Sequence, residues 1–453
     1  MGKYFGTDGF RGEANVKLKA EDAFKTGRFL GWYYAANHHD GEKVRILIGK
    51  DTRLSSDMFE NALSAGINAS GADCFLMGVT TTPSVAFIAR REGFDCAVMI
   101  SASHNPFYDN GLKVINGDGE KFDDEAIARI EEYFDGGLGE LPYATRENVG
   151  MTIGYNEARK TYADFLLGIA EEAGMKPFAG HRIAVDCANG SAAVYAKHIF
   201  NTLGAEVSIM ADDPDGLNIN EGVGSTHMDA LKKFVVETGS EIGFAYDGDA
   251  DRCLAVDEHG SEINGDKIMY ACAGMLREAG GLKDDTVVVT VMSNIGLIKA
   301  FDKAGFRYEK TKVGDRFVYE CMKEHGYTLG GEQSGHIIFT EYATTGDGIL
   351  TSLKLMGALI KAGCTASELV KDCVMYPQYM KNVRVSDKAA ALADPEMAAE
   401  ITKAEAELAG DGRILVRESG TEPVIRVMAE AATMEICTAV VDRISAVVEK
   451  NNS

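Results

Sequence analysis

The chain has 453 residues, 45% of them hydrophobic, and a formal net charge of −23. That length suggests about three domains with sizeable cores, and the acidic balance, with no basic stripe, argues against a nucleic-acid partner. Positive charge for an anionic ligand must then come from a few placed Arg and Lys residues or from a metal ion. The nine cysteines are scattered between Cys74 and Cys437 with no C-x-x-C pair, the pattern of reduced thiols in a cytoplasmic protein. No secretory leader is expected, because "MGKYFGTDGF" is polar and Gly-rich. Gly6 breaks the myristoylation pattern. No apolar run nears the length of a membrane span, so no membrane partner is expected. Monomer and homodimer both stay open.

Gly is abundant at 50 residues and Pro scarce at 8, which suits an α/β chain with tight turns. Three segments look alike: "VRILIGKDTR" (Val44–Arg53), "HRIAVDCANG" (His181–Gly190) and "DTVVVTVMSN" (Asp285–Asn294). Each reads as a buried strand running into a polar or Gly-bearing turn. A helical stretch and a second strand follow each: "DCFLMG", "EVSIMA" and "FRYEKT". A third strand then ends in an unusual loop: "SASHNP" (101–106), "DGDADR" (247–252) or "GGEQSGH" (330–336). This is a loose threefold repeat of α/β units, too long for solenoid modules. Ligands of open α/β sheets gather at the carboxyl ends of strands, so the loops are expected to face one cleft. Helical patterns run over Glu125–Tyr133 and Glu157–Ala173. Beyond "CVMYPQYMKNVRV" the pattern becomes a strand near 380–386, a helix near 395–409, strands at 413–418 and 424–431, and a helix at 433–449. The expected fold is three similar α/β domains with mixed sheets (1–155, 156–256, 257–373) and a C-terminal α+β domain (374–453) around a central cleft.

"IGFAYDGDADRCLAVDEHG" places Asp247, Asp249 and Asp251 at alternate positions of one turn. Carboxylates about 6 Å apart repel by roughly 3 kcal/mol per pair at an effective dielectric near 20. Three readings compete. Glu258 falls where an EF-hand needs its last ligand, but Arg252 stands where that loop needs Gly, and strands flank it. On an open surface, water alone would solvate the turn. In a cleft, Mg²⁺ with oxygen ligands offsets the repulsion, and Arg252 beside it supplies a cation for a phosphoryl group.

A serine hydroxyl is a poor nucleophile until a base and a cation assist it. If "SASHNP" faces "DGDAD", a phosphate on the serine bridges to the metal. Phosphoryl transfer depends mostly on positioning and electrostatics, and such an arrangement supplies both.

The series "FGTDGFRG" (5–12), "SASHNPFYDNGLK" (101–113), "DGDADR", "GGEQSGH" and "RESGTEPVIRVM" (417–428) resembles the α-D-phosphohexomutase superfamily, in its order and over nearly the whole chain. The resemblance implies an enzyme that interconverts 1-phospho and 6-phospho sugars through a phosphoserine and a sugar 1,6-bisphosphate, the latter also its activator. It implies that Ser103 carries the phosphate and joins Asp247, Asp249 and Asp251 around Mg²⁺. Ser101 reads instead as a capping loop hydroxyl. His104, Lys113, Arg11 and Arg252 become candidate catalytic groups. Glu332, Ser334 and His336 belong to the implied sugar loop. Arg417, Ser419, Gly420 and Thr421 form an implied phosphate nest; Arg426 reads either as a further contact or as a structural, strand-borne arginine.

Within the superfamily, the spelling of "VDCANG", "PDGLNIN" followed by "GSTH", "KVGDRFV" and "TTGDGILT" is closest to the bacterial branch acting on a 2-amino sugar. That implies conversion of glucosamine 6-phosphate to glucosamine 1-phosphate, feeding amino-sugar metabolism; the alternative is the branch acting on mannose and glucose phosphates. The loop around Val223, where many of that branch have Cys, is not expected to touch substrate.

Overall fold

The three strand–helix–strand patterns fold into three sheets that share one strand order. The computed structural model describes residues 3–6, 9–37, 43–172, 178–419 and 423–451. The first sheet holds β1 (Phe10–Glu13), β2 (Arg45–Lys50), β3 (Asp73–Val79), β4 (Cys96–Ile100), β5 (Asp109–Asn116) and β6 (Thr152–Gly154), in the order β1-β5-β4-β2-β3-β6. The second holds β7 (Arg182–Asp186), β8 (Glu206–Met210), β9 (Ile242–Tyr246), β10 (Cys253–Asp257) and β11 (Glu262–Ile263), ordered β11-β10-β9-β7-β8. The third holds β12 (Thr286–Thr290), β13 (Arg307–Thr311), β14 (Leu329–Gly331) and β15 (Ile337–Phe339), ordered β13-β12-β14-β15.

In every sheet the first strand of the repeat (β2, β7, β12) pairs in parallel with the second on one side and the third on the other. The fourth strand returns antiparallel beside the third. These are mixed α/β sheets. Every residue of β4, β9 and β12 is buried, as befits strands covered by helices on both faces. Local signals set the helices between them. For Thr82–Glu92, the Thr81 side chain accepts from Ser84 N, Pro83 occupies the first turn, and Gly93 at φ 65° ends it.

The helix Gly348–Ala362 is buried along most of its length. Its cap, Asp347, accepts from Leu350 N at 2.9 Å and from the Tyr162 hydroxyl at 2.6 Å. Burial pushes the Asp347 carboxyl up to about 6. A raised folded-state value means that the protonated form is favoured by folding. The contribution is complete below the unfolded value near 4 and is lost as pH rises through about 6. Asp347→Asn keeps the cap acceptor without the charge. Relative to wild type, the variant should therefore gain about 3 kcal/mol between pH 4 and pH 7. Urea unfolding across that range reads it, and a difference independent of pH would refute it.

Residues Met1–Met292 with Arg307–Val370 form one compact unit, and Ser293–Phe306 with Lys371–Ser453 form a second. The second unit is an antiparallel sheet of β16 (Gln378–Arg384), β17 (Gly412–Glu418) and β18 (Val424–Ala431), ordered β16-β18-β17. Helices Pro395–Leu408 and Met434–Asn451 pack on it around Val383, Ile425, Val427, Val441 and Ile444. It also takes in helix Ile295–Ala304, whose sequence position lies between β12 and β13. Buried Glu430 accepts from Ile295 N at 2.8 Å and from Arg413 Nε at 2.7 Å. Asn294 exchanges hydrogen bonds with the Tyr376 backbone in both directions.

Candidate active site

All three singled-out loops occupy one topological position, the turn from the third strand of a repeat to its antiparallel fourth. They connect β4 to β5, β9 to β10, and β14 to β15, and backbone bonds tie the carboxylate loop and its exit to the other two repeats. Thr82 N donates to Asp249 O at 3.0 Å, Gly348 N to Ala250 O at 2.9 Å, and Cys253 N to Gly335 O at 3.0 Å. Two glycines permit the approach. A Cβ on Gly248 would lie 2.5 Å from Ser103 O, and one on Gly335, at φ +91°, would lie 2.3 Å from Cys253 O.

Ser103 is 1% exposed and sits at φ +54°. Its Oγ donates to Asp247 Oδ2 at 2.6 Å and lies 3.3 Å from His104 Nδ1. Ser101 Oγ accepts from Ser103 N at 2.9 Å, so the two serines divide the work: one caps the turn and the other faces the carboxylates. Asp247, Asp249 and Asp251 are buried, with one ligand oxygen from each lying within 4.8 Å of the others. Burial, then the charges of Asp251 and Asp249, push the Asp247 carboxyl up to about 8. Asp251 is drawn the other way: against the cost of burial, Lys113, His336 and Arg252 hold it well below the usual range. The Oδ1 atoms of Asp249 and Asp251 are buried and have no hydrogen-bond partner among the described residues. A buried all-oxygen donor set with unsatisfied lone pairs fits a hard divalent cation. It does not fit a solvated acidic turn. An EF-hand is excluded as well, because β9 and β10 flank the loop and Glu258 is bonded to Ser367 instead.

Cations surround the trio. Lys113, on β5, is buried and ion-paired with Asp249 and, at 3.1 Å, with Asp251. The Arg252 backbone N–H donates to Asp247 Oδ1 at 3.2 Å, and its Nε lies 4.0 Å from Asp251 Oδ1. Arg11, on β1, is paired in register with Gly111 of β5. Burial, then the charges of Arg252 and Arg11, lower His104 to about 4, which favours the neutral ring.

Ser103, Arg252, Glu332, Ser334, His336 and Asp315 line one cavity of about 350 Å³, within the range of small-ligand sites. Burial raises the Glu332 carboxyl, whose Oε1 accepts from Gly314 N at 3.1 Å. His336 Nε2 accepts from Gly346 N at 2.9 Å, which leaves the ring proton on Nδ1, 3.9 Å from Asp251 Oδ1.

The remaining candidates lie in the second unit. Arg417 on β17 is in register with Arg426 on β18. Ser419 Oγ accepts from Arg426 Nη2 at 3.3 Å, and Ser419 O accepts from Lys388 Nζ at 2.8 Å. The main-chain carbonyl of Ser419 is thus engaged locally. Gly420 and Thr421 lie outside the described residues.

Three residues at the first unit's site fall inside quoted segments without standing out there as site candidates. Asp315, at the start of a helix, bonds to Lys121 and places Oδ2 3.4 Å from His336 Nε2. Arg53 ends the "VRILIGKDTR" segment and donates into the Ser103 turn. Asn220 lies three positions before Val223 and reaches the same turn. The Val223 loop thus meets the Ser103 turn. Only the "DTR" and "PDGLNIN" spellings hinted at Arg53 and Asn220, and neither spelling reveals a bond to Ser103.

Comparison with known proteins agrees along the whole chain. Four family models match: phosphoglucomutase/phosphomannomutase alpha/beta/alpha domain I at residues 2–138, domain II at 160–260, domain III at 264–376 and the C-terminal domain at 380–447. The phosphoglucosamine mutase of Lachnospira eligens is 56% identical over 449 residues, covering 99% of each chain. In fold, the chain is similar to a phosphoglucomutase/phosphomannomutase family protein from Burkholderia thailandensis (TM-score 0.80, 24% identity, 100% and 99% coverage). It is also similar to Aspergillus fumigatus N-acetylphosphoglucosamine mutase in complex with GlcNAc-6P and magnesium (TM-score 0.71, 18% identity, 99% and 96% coverage). With the "SASHNP", "DGDADR" and "GGEQSGH" loops at equivalent turns of a threefold repeat and all four domain types present in order, the chain belongs to the phosphoglucomutase/phosphomannomutase family of α-D-phosphohexomutases.

Proposed function

We propose that this enzyme is a phosphoglucosamine mutase, interconverting glucosamine 6-phosphate and glucosamine 1-phosphate. The observation that carries the mechanism is the Ser103 hydroxyl, buried and 2.6 Å from Asp247 beside two further carboxylates. The sugar assignment rests on full-length relatives of that name, such as the 56% identical one. Asp247, Asp249, Asp251 and phosphorylated Ser103 hold Mg²⁺ in this reading. When bound, the ion supplies charge that offsets the carboxylates and stabilises the transferring phosphoryl group.

The chain's own residues do the rest. The phosphoryl group leaves Ser103 Oγ as a new P–O bond forms to a sugar hydroxyl, whose proton passes to a base. The sugar 1,6-bisphosphate then returns its other phosphoryl group to Ser103. Lys113, wedged among the carboxylates, and neutral His104, 3.3 Å from Ser103 Oγ, are the groups placed to move or hold those protons. Arg252 and Arg11 supply fixed positive charge for phosphate. Glu332 and Ser334 receive sugar hydroxyls, with His336 alongside. Arg417, Ser419, Gly420 and Thr421 grip the distal phosphate. The four proposed domains are 1–155, 156–256, 257–373 and 374–453.

Among the described residues no helix is long and apolar enough to cross a membrane, and all nine cysteines are free thiols. The reduced-thiol pattern supports placing the enzyme in the cytoplasm.

A substrate panel tests the sugar. With sugar bisphosphate as primer, kcat/KM on glucosamine 1-phosphate should exceed that on glucose 1-phosphate by at least about tenfold, or roughly 1.4 kcal/mol of transition-state binding. A preference for glucose would replace the sugar assignment with the phosphoglucomutase alternative and leave the phosphoserine chemistry standing.

A further inference from the structure

Ser103 holds its hydroxyl in place from a left-handed backbone, φ +54°, a conformation that costs a non-glycine residue about 1 kcal/mol or more. Such a turn persists only where its surroundings enforce it. Two side chains from different repeats converge on it. From the turn after β2, Arg53 Nη2 donates to Ser103 O at 2.9 Å and Asn105 O at 2.8 Å. Its Nη1 donates to Pro106 O and, at 3.1 Å, to Asp109 O. Asp51 braces the guanidinium from behind, 2.8 Å from Nε, and both side chains are fully buried.

From the second repeat, Asn220 Nδ2 donates to the same two acceptors, Ser103 O at 2.9 Å and Asn105 O at 3.1 Å. A carbonyl oxygen has two lone pairs and can take both donors. Asn220 also packs beside the carboxylate loop: a Cβ on Gly248 would lie 3.1 Å from its Nδ2. Asn220 itself is left-handed at φ +61°, a conformation that Asn adopts more readily than most residues.

We propose that Arg53 and Asn220 are paired positioning residues that set the Ser103 turn against the carboxylate loop and so fix the reach of Oγ toward Asp247. The proposal rests on the reading of Ser103 as phosphoryl carrier. Arg53 shapes the turn from within its own repeat. Asn220 references it to the repeat that owns the three aspartates. Phosphoryl transfer needs the attacking oxygen in line, and a misplacement of about 1 Å can cost on the order of 10²-fold in rate.

Removing Arg53 would strip the fully buried Asp51 carboxylate of its ion pair and endanger folding, so Asn220 carries the test. Asn220→Gly tolerates the left-handed backbone and deletes the amide. Asn220→Asp keeps the shape and replaces the donor with a carboxylate facing carbonyl oxygens. The full-length enzyme with Mg²⁺ is mixed with glucose 1,6-bisphosphate, quenched at intervals, and read by intact mass for phosphate on Ser103. Both variants should load about 10–100-fold more slowly than wild type, at a half-saturating bisphosphate concentration within about twofold of the wild-type value.

That split separates positioning from a general loss of structure or of sugar binding. Loading at the wild-type rate in both variants overturns the proposal. So does a raised half-saturation with an unchanged maximal rate. Failure of the wild-type enzyme to take phosphate on Ser103 at all would instead overturn the carrier reading.

Discussion

Ser103→Ala is expected to lower turnover of glucosamine 6-phosphate by about 10³-fold or more while the protein stays folded. The substitution removes one oxygen that is 1% exposed as a residue and leaves the backbone demand at φ +54° much as it was, since Ala and Ser share a Cβ. What disappears is the only atom of the turn that both meets the carboxylates and can form a P–O bond. Ser101 offers no substitute, because its Oγ already accepts from the residue 103 amide at 2.9 Å. The result is read in a steady-state assay primed with sugar bisphosphate, alongside intact mass, where wild type gains a phosphoryl group and the variant gains none. Turnover within tenfold of wild type would end the phosphoserine mechanism.

Asp247→Asn is the second large effect. Burial and the neighbouring carboxylates of Asp251 and Asp249 already push Asp247 up to about 8, the sign of a site with more negative charge than it can hold unaided. A divalent cation relieves that crowding, and its affinity follows the charge count of its ligands. The amide keeps an oxygen but loses the charge. It also changes the group that accepts from Ser103 Oγ, now 2.6 Å away. The Mg²⁺ concentration for half-maximal activity should rise at least about tenfold, and turnover at saturating Mg²⁺ should fall about 10²-fold. Titration from chelator-stripped enzyme measures both. An unchanged Mg²⁺ requirement would place the metal elsewhere.

Much of this molecule is legible in its sequence because its repeat unit announces itself. Buried strands such as "VRILIGK", "RIAVD" and "TVVVT" are apolar runs too short for helices, each closed by a polar turn, and all three took an interior place in a sheet. The loops that carry chemistry stood out because runs such as Ser-x-Ser-His-Asn-Pro and Asp-x-Asp-x-Asp serve no ordinary turn. Strand-end loops in such sheets meet at one side, and the first unit's loops did so through contacts as close as Gly248 against Ser103 O.

What escaped was of another kind. Arg53 and Asn220 act through backbone carbonyls distant in sequence, and a carbonyl leaves no mark in the amino-acid letters. Asp315 looked like any acidic residue in the first turn of a helix. The short strand β6 is largely exposed, so no apolar run betrayed it. Helix Ile295–Ala304 has the amphipathic face of any helix between two strands; only Glu430 and Tyr376, more than seventy residues on, reveal the company it keeps.

That last attachment bears on how such a protein is cut and recombined. The polypeptide passes between the two units at 292/293, 306/307 and 370/371, so the smaller one is not a tail. A gene truncated after Val370 would strip Ile295–Ala304 of its partners, and a fragment beginning at Lys371 would start life without one of its own helices. Any chimera that grafts a foreign C-terminal module must transplant both stretches together.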